Sequence, residues 1–300
     1  MDYELTELLA TGERAAFHGR PAAGIGPLQR AVEVALTNGH QAEATAAAWL
    51  LGVCLGAGGR YGAAIVVLEP LAVAAPAEAD RRLFCSLAGA TLASVHRQLG
   101  RHADAAGWDQ QARQLAGDAA EAVFDAELGL AADAIGLANI DVARAHLEPA
   151  AELASSRPDW WRQRVRLDWV FAELALLCQQ PQEATTRATA AVALAETSGA
   201  PRHVAKGLLF SGVAHLQSGD ADLAAVTLRR AASLAESLGA APLVWPARAM
   251  LGALVSGSNP VEGEKALASA RAVVRQLTAE LPEPYAADFL ARADIVELLA

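Results

Sequence analysis

The sequence predicts an all-α fold, an α-solenoid of about seven antiparallel two-helix repeats closed by a C-terminal capping helix. Three observations carry that expectation. Alanine fills roughly a quarter of the chain, while aromatic residues make up only 5%. Alanine is the best helix former and aromatics favour strands, so the balance points to helix. Chain-breaking pairs recur in near-constant register: Gly19-Arg20, Gly59-Arg60, Gly100-Arg101, Asn139-Ile140, Gln180-Pro181, Gly219-Asp220 and Asn259-Pro260, in steps of 40, 41, 39, 41, 39 and 40 residues. A small residue stands about seven positions before each break, at Gly12, Gly52, Ala93, Ala132, Ala172, Gly212 and Gly252. Self-similarity at a fixed period is the signature of a repeat array.

The repeats fall at about 2–38, 41–76, 79–117, 118–157, 159–199, 201–240 and 242–281, as one domain over residues 1–300. Repeat one opens with a helix from Tyr3 to Phe17. The sixth shows the pattern best. Val204 to Gln217 carries Leu208, Leu209, Val213 and Leu216 at helical spacing, and Gly219-Asp220 breaks it. Leu223 to Leu238 then carries Leu223, Val226, Leu228, Leu234 and Leu238. A short glycine-containing break between two such segments makes an antiparallel hairpin. Longer breaks such as Gly199-Ala200-Pro201 and Gly239-Ala240-Ala241-Pro242 end repeats, with glycine at the helix C-terminus and proline beyond it. Alanines follow each break, at Ala64, Ala105, Ala184 and Ala224, then at Ala31, Ala112, Ala191, Ala231 and Ala270, where helix backbones would approach closely. After Leu281-Pro282-Glu283-Pro284, the segment from about 285 to 299 is expected as a single closing helix over the last apolar face.

The small residue in the first helix, the Gly-polar turn and the paired alanines of the second together resemble the tetratricopeptide repeat, most clearly in Leu208, Gly212, Ala224, Leu228 and Ala231 and in Leu51-Gly52, Ala64 and Leu68. The departure is the period, which exceeds the usual ~34 residues. Arrays of this longer period are similar to the sensor domains of bacterial transcription activators of the maltose-activator and LuxR type, and to bacterial peptide-pheromone receptors. The resemblance implies a right-handed superhelix that binds a protein or peptide in a concave groove lined by the first helices, with a role in transcription regulation. It also leaves open a sugar- or metabolite-sensing module. With the repeats filling the sequence, no DNA- or nucleotide-binding domain is expected within it, so the chain would be a stand-alone version of such a sensor or a piece of a larger regulator.

Composition limits the alternatives. Lys+Arg is 24 against Asp+Glu 34, a formal net charge of -10. Neutralising phosphates needs basic surface, so direct nucleic-acid binding is not expected. The N-terminus lacks the basic and apolar regions of a signal peptide. No uncharged run reaches the roughly 20 apolar residues of a membrane span. Cys54, Cys85 and Cys178 are isolated and odd in number, which fits a reducing cytoplasm. Lys206 and Lys265 are the only lysines, and with the alanine content this suggests a bacterial source. Phosphate-binding loops, His-Glu-x-x-His and Gly-x-Ser-x-Gly are absent, and the seven histidines are scattered. The expectation is a protein that is not an enzyme, with no cofactor and no metal site. His96 and His215 share a repeat position and are expected to be packed histidines.

Carried over from the resemblance, the inward positions are Leu9 and Glu13; Trp49 and Val53; Ala90, Ser94 and Arg97; Gly129 and Asp133; Arg162, Arg166, Trp169 and Glu173; and Lys206, Leu209 and Val213. Of these the candidate partner site takes Trp49, Val53, Ser94, Arg97, Asp133, Arg162, Arg166, Trp169, Glu173, Lys206 and Leu209. Repeat five stands out, because Arg162, Arg166 and Trp169 share one helical face and Lys206 is the repeat equivalent of Arg166. Arginine captures carboxylates in bidentate fashion and tryptophan offers a flat surface, which points to an acidic partner, a free carboxylate or an anionic small molecule. The competing reading has Trp160 and Trp161 packing between repeats and the arginines pairing with Asp159, Asp168 or Glu173.

Overall fold

The computed structural model describes residues 3–300 and contains sixteen helices and no strands among them. The first eight are α1 (Tyr3–His18), α2 (Ala22–Thr37), α3 (Gln41–Ala57), α4 (Tyr61–Ala72), α5 (Ala79–Gln98), α6 (His102–Ala116), α7 (Ala120–Gly136) and α8 (Ile140–Ser155). The second eight are α9 (Trp161–Leu177), α10 (Pro181–Thr197), α11 (Pro201–Gln217), α12 (Ala221–Leu238), α13 (Ala241–Val255), α14 (Pro260–Ala279), α15 (Tyr285–Leu290) and α16 (Ala293–Leu299). No described helix is long and apolar enough to cross a membrane.

The helices turn where the breakers stand, and backbone geometry explains why. Gly59, Gly100 and Gly219 sit at φ 85°, 80° and 78°, the left-handed region that ends a helix cheaply only at glycine. Each turn closes with the same bond to the fifth residue back: Arg60 N–H to the Leu55 carbonyl at 2.9 Å, Arg101 to His96 at 3.0 Å and Asp220 to His215 at 2.9 Å. Repeats four and five make the same turn with Ala138 (φ 57°) and Gln179 (φ 56°). The following helices start on side-chain caps where the sequence allows: Asp220 accepts from Leu223 N–H at 3.2 Å and Asn259 from Glu262 N–H at 3.2 Å.

The recurring small residues are packing positions. A Cβ on Gly12 would lie 2.2 Å from Leu28 Cδ2, one on Gly52 2.3 Å from Leu68 Cδ2, and one on Gly212 2.6 Å from Leu228 Cδ2. In each hairpin the leucine sixteen residues on lies against the bare backbone of the first helix. Leu28, Leu68 and Leu228 are each completely buried. Ala64, Ala105, Ala184 and Ala224 are likewise completely buried. In repeat three the same step from Ala93 lands on Asp109, a fully buried carboxylate where the pattern has leucine.

Where the repeat suggests one domain, contacts group the chain into two compact units, residues 1–157 and 158–300. In the first, α1 to α8 pack consecutively, and α1, α3, α5 and α7 also pack in sequence on one another. In the second, α9 to α14 repeat the arrangement, with α11 against both α9 and α13. The closing element differs from the single helix expected over 285–299. Two short helices cover α14, separated at Ala291 and by Arg292, which is extended (φ -60°, ψ 133°). Leaving the helix puts the Arg292 guanidinium over the Trp245 ring (5.3 Å) and the Phe289 ring (5.8 Å), while Phe289 and Ile295 are both fully buried.

Candidate functional site

The α9 sequence alternates core and charge along one helix. Val165 and Trp169 enter a core with Ala191 and Ala195 of α10, Val204 and Leu208 of α11, Ala231 and Ala232 of α12, and Ala247 of α13. Five alanines around one indole let the neighbouring backbones close in on a large side chain. Arg162 and Arg166 stand between these apolar positions, and 40 residues later α11 places Arg202 and Lys206 at the equivalent places.

These charges converge on His203. Its ring is stacked on Trp169 (centroids 5.2 Å apart, 21° between planes) and meets Trp161 edge-on at 5.3 Å. The side chain is 2% exposed. Burial pushes the imidazole well below its ordinary value, and Arg202, Arg162, Arg166 and Lys206 push it further, so His203 is neutral at pH 7. The Lys206 ammonium lies 4.8 Å from the centre of the Trp169 ring and 5.8 Å from that of Phe210, within cation–π range. Two polar atoms at the centre of this cluster, Trp169 Nε1 and His203 Nδ1, are buried with no hydrogen-bond partner among the described residues. Each such atom costs about 1–3 kcal/mol relative to a bonded one, so a native protein carrying two together needs a reason.

The surrounding arginines of this unit are paired on the outside. Arg187 binds Glu183 at 2.7 Å and Asp168 at 3.4 Å, Arg230 binds Glu196 at 2.6 Å, and Arg248 binds Glu236 at 2.7 Å. Asp168, one of the three carboxylates expected as partners for the α9 arginines, pairs with Arg187 of α10 and also feels Arg164 of α9. Burial holds its carboxyl above the ordinary value, against the opposing pull of Arg187. Glu173 is half-buried one turn beyond Trp169. Leu209 is half-buried and packs against the Trp169 core and against Leu228 and Leu251.

The remaining expected site residues lie in the first unit, where Trp49, Arg97 and Asp133 serve packing. Trp49 is 7% exposed, tilted between Phe17 (6.4 Å) and Phe84 (5.8 Å), and its Nε1–H donates to Thr91 Oγ1 at 3.0 Å. Val53 is half-buried, and Ser94 is exposed on α5. Arg97 points into the protein, 3.1 Å from Asp109 Oδ2, 2.5 Å from Asp133 Oδ2, and donating to the Gly129 carbonyl at 3.1 Å. Two glycines of α7 make this possible, because a Cβ on Gly129 would collide with the Asp109 carboxylate and one on Gly136 with the His102 ring. Burial pushes Asp109 well above the carboxylate range, with Asp133 and Asp125 adding to the effect and Arg97 opposing it. Burial also opposes the charge on Arg97, but Asp109 and Asp133 outweigh it. Burial and the neighbouring carboxyls thus favour the protonated form of Asp109, while Arg97 favours the ionised one.

Neither tryptophan therefore presents an open stacking face. The structure assembles Arg162, Arg166, Trp169 and Lys206 as the repeat-five patch suggests, and adds Trp161, Arg202 and His203, which the sequence reading left out. The echo of Arg162 and Arg166 in Arg202 and Lys206 was visible in the register, and His203 lies between the latter pair. His96 is buried, its ring tilted against Trp108 at 6.3 Å, and His215 is half-buried. Burial raises the Cys85 thiol, which keeps it protonated. Among the described residues no group of three or more His, Cys, Asp or Glu is placed to hold a metal ion.

No protein-family model matches the sequence, and no curated protein matches it. Solved structures share its fold. A Rap protein complexed with competence and sporulation factor aligns with a TM-score of 0.62 at 12% identity, over 98% of this chain and 80% of that one. NprR in complex with its cognate peptide NprX aligns at 0.57 and 14%, over 98% and 82%. A STAND signal-transduction ATPase with a tetratricopeptide-repeat sensor, from Pyrococcus horikoshii, aligns at 0.53 and 14%, over 92% of this chain and 42% of that one. At these identities the likeness is one of fold: the chain has a tetratricopeptide-like repeat architecture.

Proposed function

We propose that this protein is a non-catalytic, peptide- or protein-binding repeat scaffold with a regulatory role in the cytoplasm. Its partner would lie along the first-helix face, and an acidic side chain or free carboxylate of the partner would meet the α9 and α11 cations. The observation that carries this reading is the convergence of Arg162, Arg166, Arg202 and Lys206 on a buried, neutral His203 in a protein of net charge -10. The positive potential these cations set up at a desolvated centre favours an arriving anion. Two fold neighbours were solved in complexes, Rap with competence and sporulation factor and NprR with its cognate peptide NprX, and the second supports a peptide as the partner. A sugar or metabolite sensor built on stacking is the weaker reading, because Trp49 and Trp169 are 7% and 5% exposed and covered by the chain's own side chains.

The test is affinity selection from a peptide library with free C-termini, using the full chain as bait. Selected peptides should bind the wild type and lose at least about tenfold affinity to Arg166→Ala/Lys206→Ala, the equivalent of 1.4 kcal/mol. Failure to select any peptide would overturn the reading, and equal affinity for the double variant would remove the α9/α11 face from it.

A further inference from the structure

Trp169 and His203 are an odd pair to leave unsatisfied. An indole N–H can only donate, so whatever completes Trp169 Nε1 must be an acceptor. A neutral imidazole can accept or donate at Nδ1, but an imidazolium only donates. Both nitrogens belong to rings stacked 5.2 Å apart, and both are covered by the protein. The cover over Trp169 includes Lys206, a half-buried side chain with a flexible four-carbon stem.

We propose that this is an oxyanion site in which Trp169 Nε1–H and His203 Nδ1 are the direct contacts, and that His203 takes up a proton as the anion enters. The oxyanion accepts from Trp169 Nε1–H. His203 gains a proton from solvent and then donates a second hydrogen bond from Nδ1. Lys206 swings off the indole to pair with the arriving charge. The inference rests on the binding face proposed above and adds its ligand chemistry and its coupling to protons. The charges around the imidazole allow it. On its own helix His203 has Arg202 and Lys206, and from α9 it faces Arg162 and Arg166. The other helices packed on α11 meet the Trp169 core through Ala191 and Ala195 (α10), Ala231 and Ala232 (α12) and Ala247 (α13), none of them titratable. The cations alone oppose protonation, and an anion between them reverses the sign of the local field.

The His203 ring can be followed by NMR titration of the full chain in sodium chloride, in sodium sulfate at matched ionic strength, and with tri-glutamate. Sulfate keeps its charge through the titration, and tri-glutamate supplies carboxylates. Relative to chloride, either oxyanion should raise the His203 midpoint by about one pH unit or more, the size an adjacent opposite charge produces. Trp169→Phe keeps the ring and should reduce that rise, while Arg166→Ala should raise the midpoint in chloride and blunt the response. A response to sulfate alone would assign the site to compact dianions, and one to tri-glutamate alone to carboxylates. Identical midpoints in all three solutions would overturn the proposal. So would an unchanged rise in Trp169→Phe. If library peptides bind the face while His203 stays silent, only this proposal fails. If His203 responds while no peptide is selected, only the scaffold reading fails.

Discussion

Each unit of the chain buries charge, and the two do it in opposite ways. In residues 1–157, Arg97 is enclosed by Asp109 and Asp133, and burial pushes Asp109 toward its protonated form. In residues 158–300, four cations surround a histidine that has lost its proton. The tryptophans repeat the contrast: Trp49 Nε1 donates to Thr91, whereas Trp169 Nε1 donates to nothing among the described residues. The Arg97 cluster offsets its charges within itself, although Asp109 Oδ1 is buried with no hydrogen-bond partner among the described residues. The α9/α11 cluster gathers four cations near two buried nitrogens that also have no such partner, Trp169 Nε1 and His203 Nδ1. On that comparison, two sets of residues that look alike in sequence differ: Trp49/Arg97/Asp133 engage the chain's own groups, while Trp169/Arg166/Lys206 belong to the proposed binding face.

The largest effect should come from opening the joint. Arg97→Met leaves the carboxyl groups of Asp109 and Asp133 buried without their cation, and breaking such a pair costs about 3–5 kcal/mol. Urea unfolding should show this, and a loss below ~1 kcal/mol would mean the cluster is already hydrated. The tryptophans should then diverge under the same conservative change. Trp49→Phe removes a made bond and leaves Thr91 Oγ1 only its bond to the Leu87 carbonyl, for about 1 kcal/mol of stability. Trp169→Phe loses the same ring volume but no made hydrogen bond, so it should cost less stability than Trp49→Phe while peptide affinity falls. Equal destabilisation by the two would erase the distinction.

The pH response should also have opposite signs in the two units. The folded value of His203 lies below its unfolded one, so its contribution is present above about pH 6.5 and is lost as pH falls from there toward the folded value. The folded value of Asp109 lies above its unfolded one. Its contribution is present below about pH 3.9 and is lost as pH rises through the folded value. Melting temperatures followed against pH should therefore show His203→Gln gaining on the wild type as the solution is acidified toward pH 5. Asp109→Asn should gain on it as pH rises toward 7. Trends of the same sign would contradict the assignments.

Much of the fold could be read in advance because its punctuation is a backbone matter. Gly59, Gly100 and Gly219 mark left-handed turns, and Gly12, Gly52 and Gly212 mark leucine contacts sixteen residues away. These are local requirements that residue type alone expresses. The sites were less legible, since burial and pairing depend on neighbouring helices. Arg97 and Ser94 lie three residues apart on α5, yet one is locked to Asp133 and the other is exposed. Asp109 was readable as polar, but its burial follows only once it is set at the leucine position of its repeat. His203 gave no signal by itself, and the flanking Arg202 and Lys206 would have given it one. The closing segment broke into α15 and α16 because Arg292 gains two aromatic rings by leaving the helix, a contact made through the fold rather than the sequence.

The smallest effect lies in the turns. Ala138 and Gln179 hold the left-handed position that glycine holds elsewhere. Ala138→Gly and Gln179→Gly should each stabilise their unit by up to about 1 kcal/mol, offset in part by the greater freedom of glycine in the unfolded chain. A loss of stability in both would show that these turns are held by their side chains.

The most direct test of the account is calorimetric titration of one selected peptide into three proteins: wild type, Arg166→Ala/Lys206→Ala, and Trp49→Phe. The account predicts that Trp49→Phe binds as the wild type does, while the double variant binds at least about tenfold more weakly. Equal binding by the double variant, or loss of binding in Trp49→Phe alone, would contradict it.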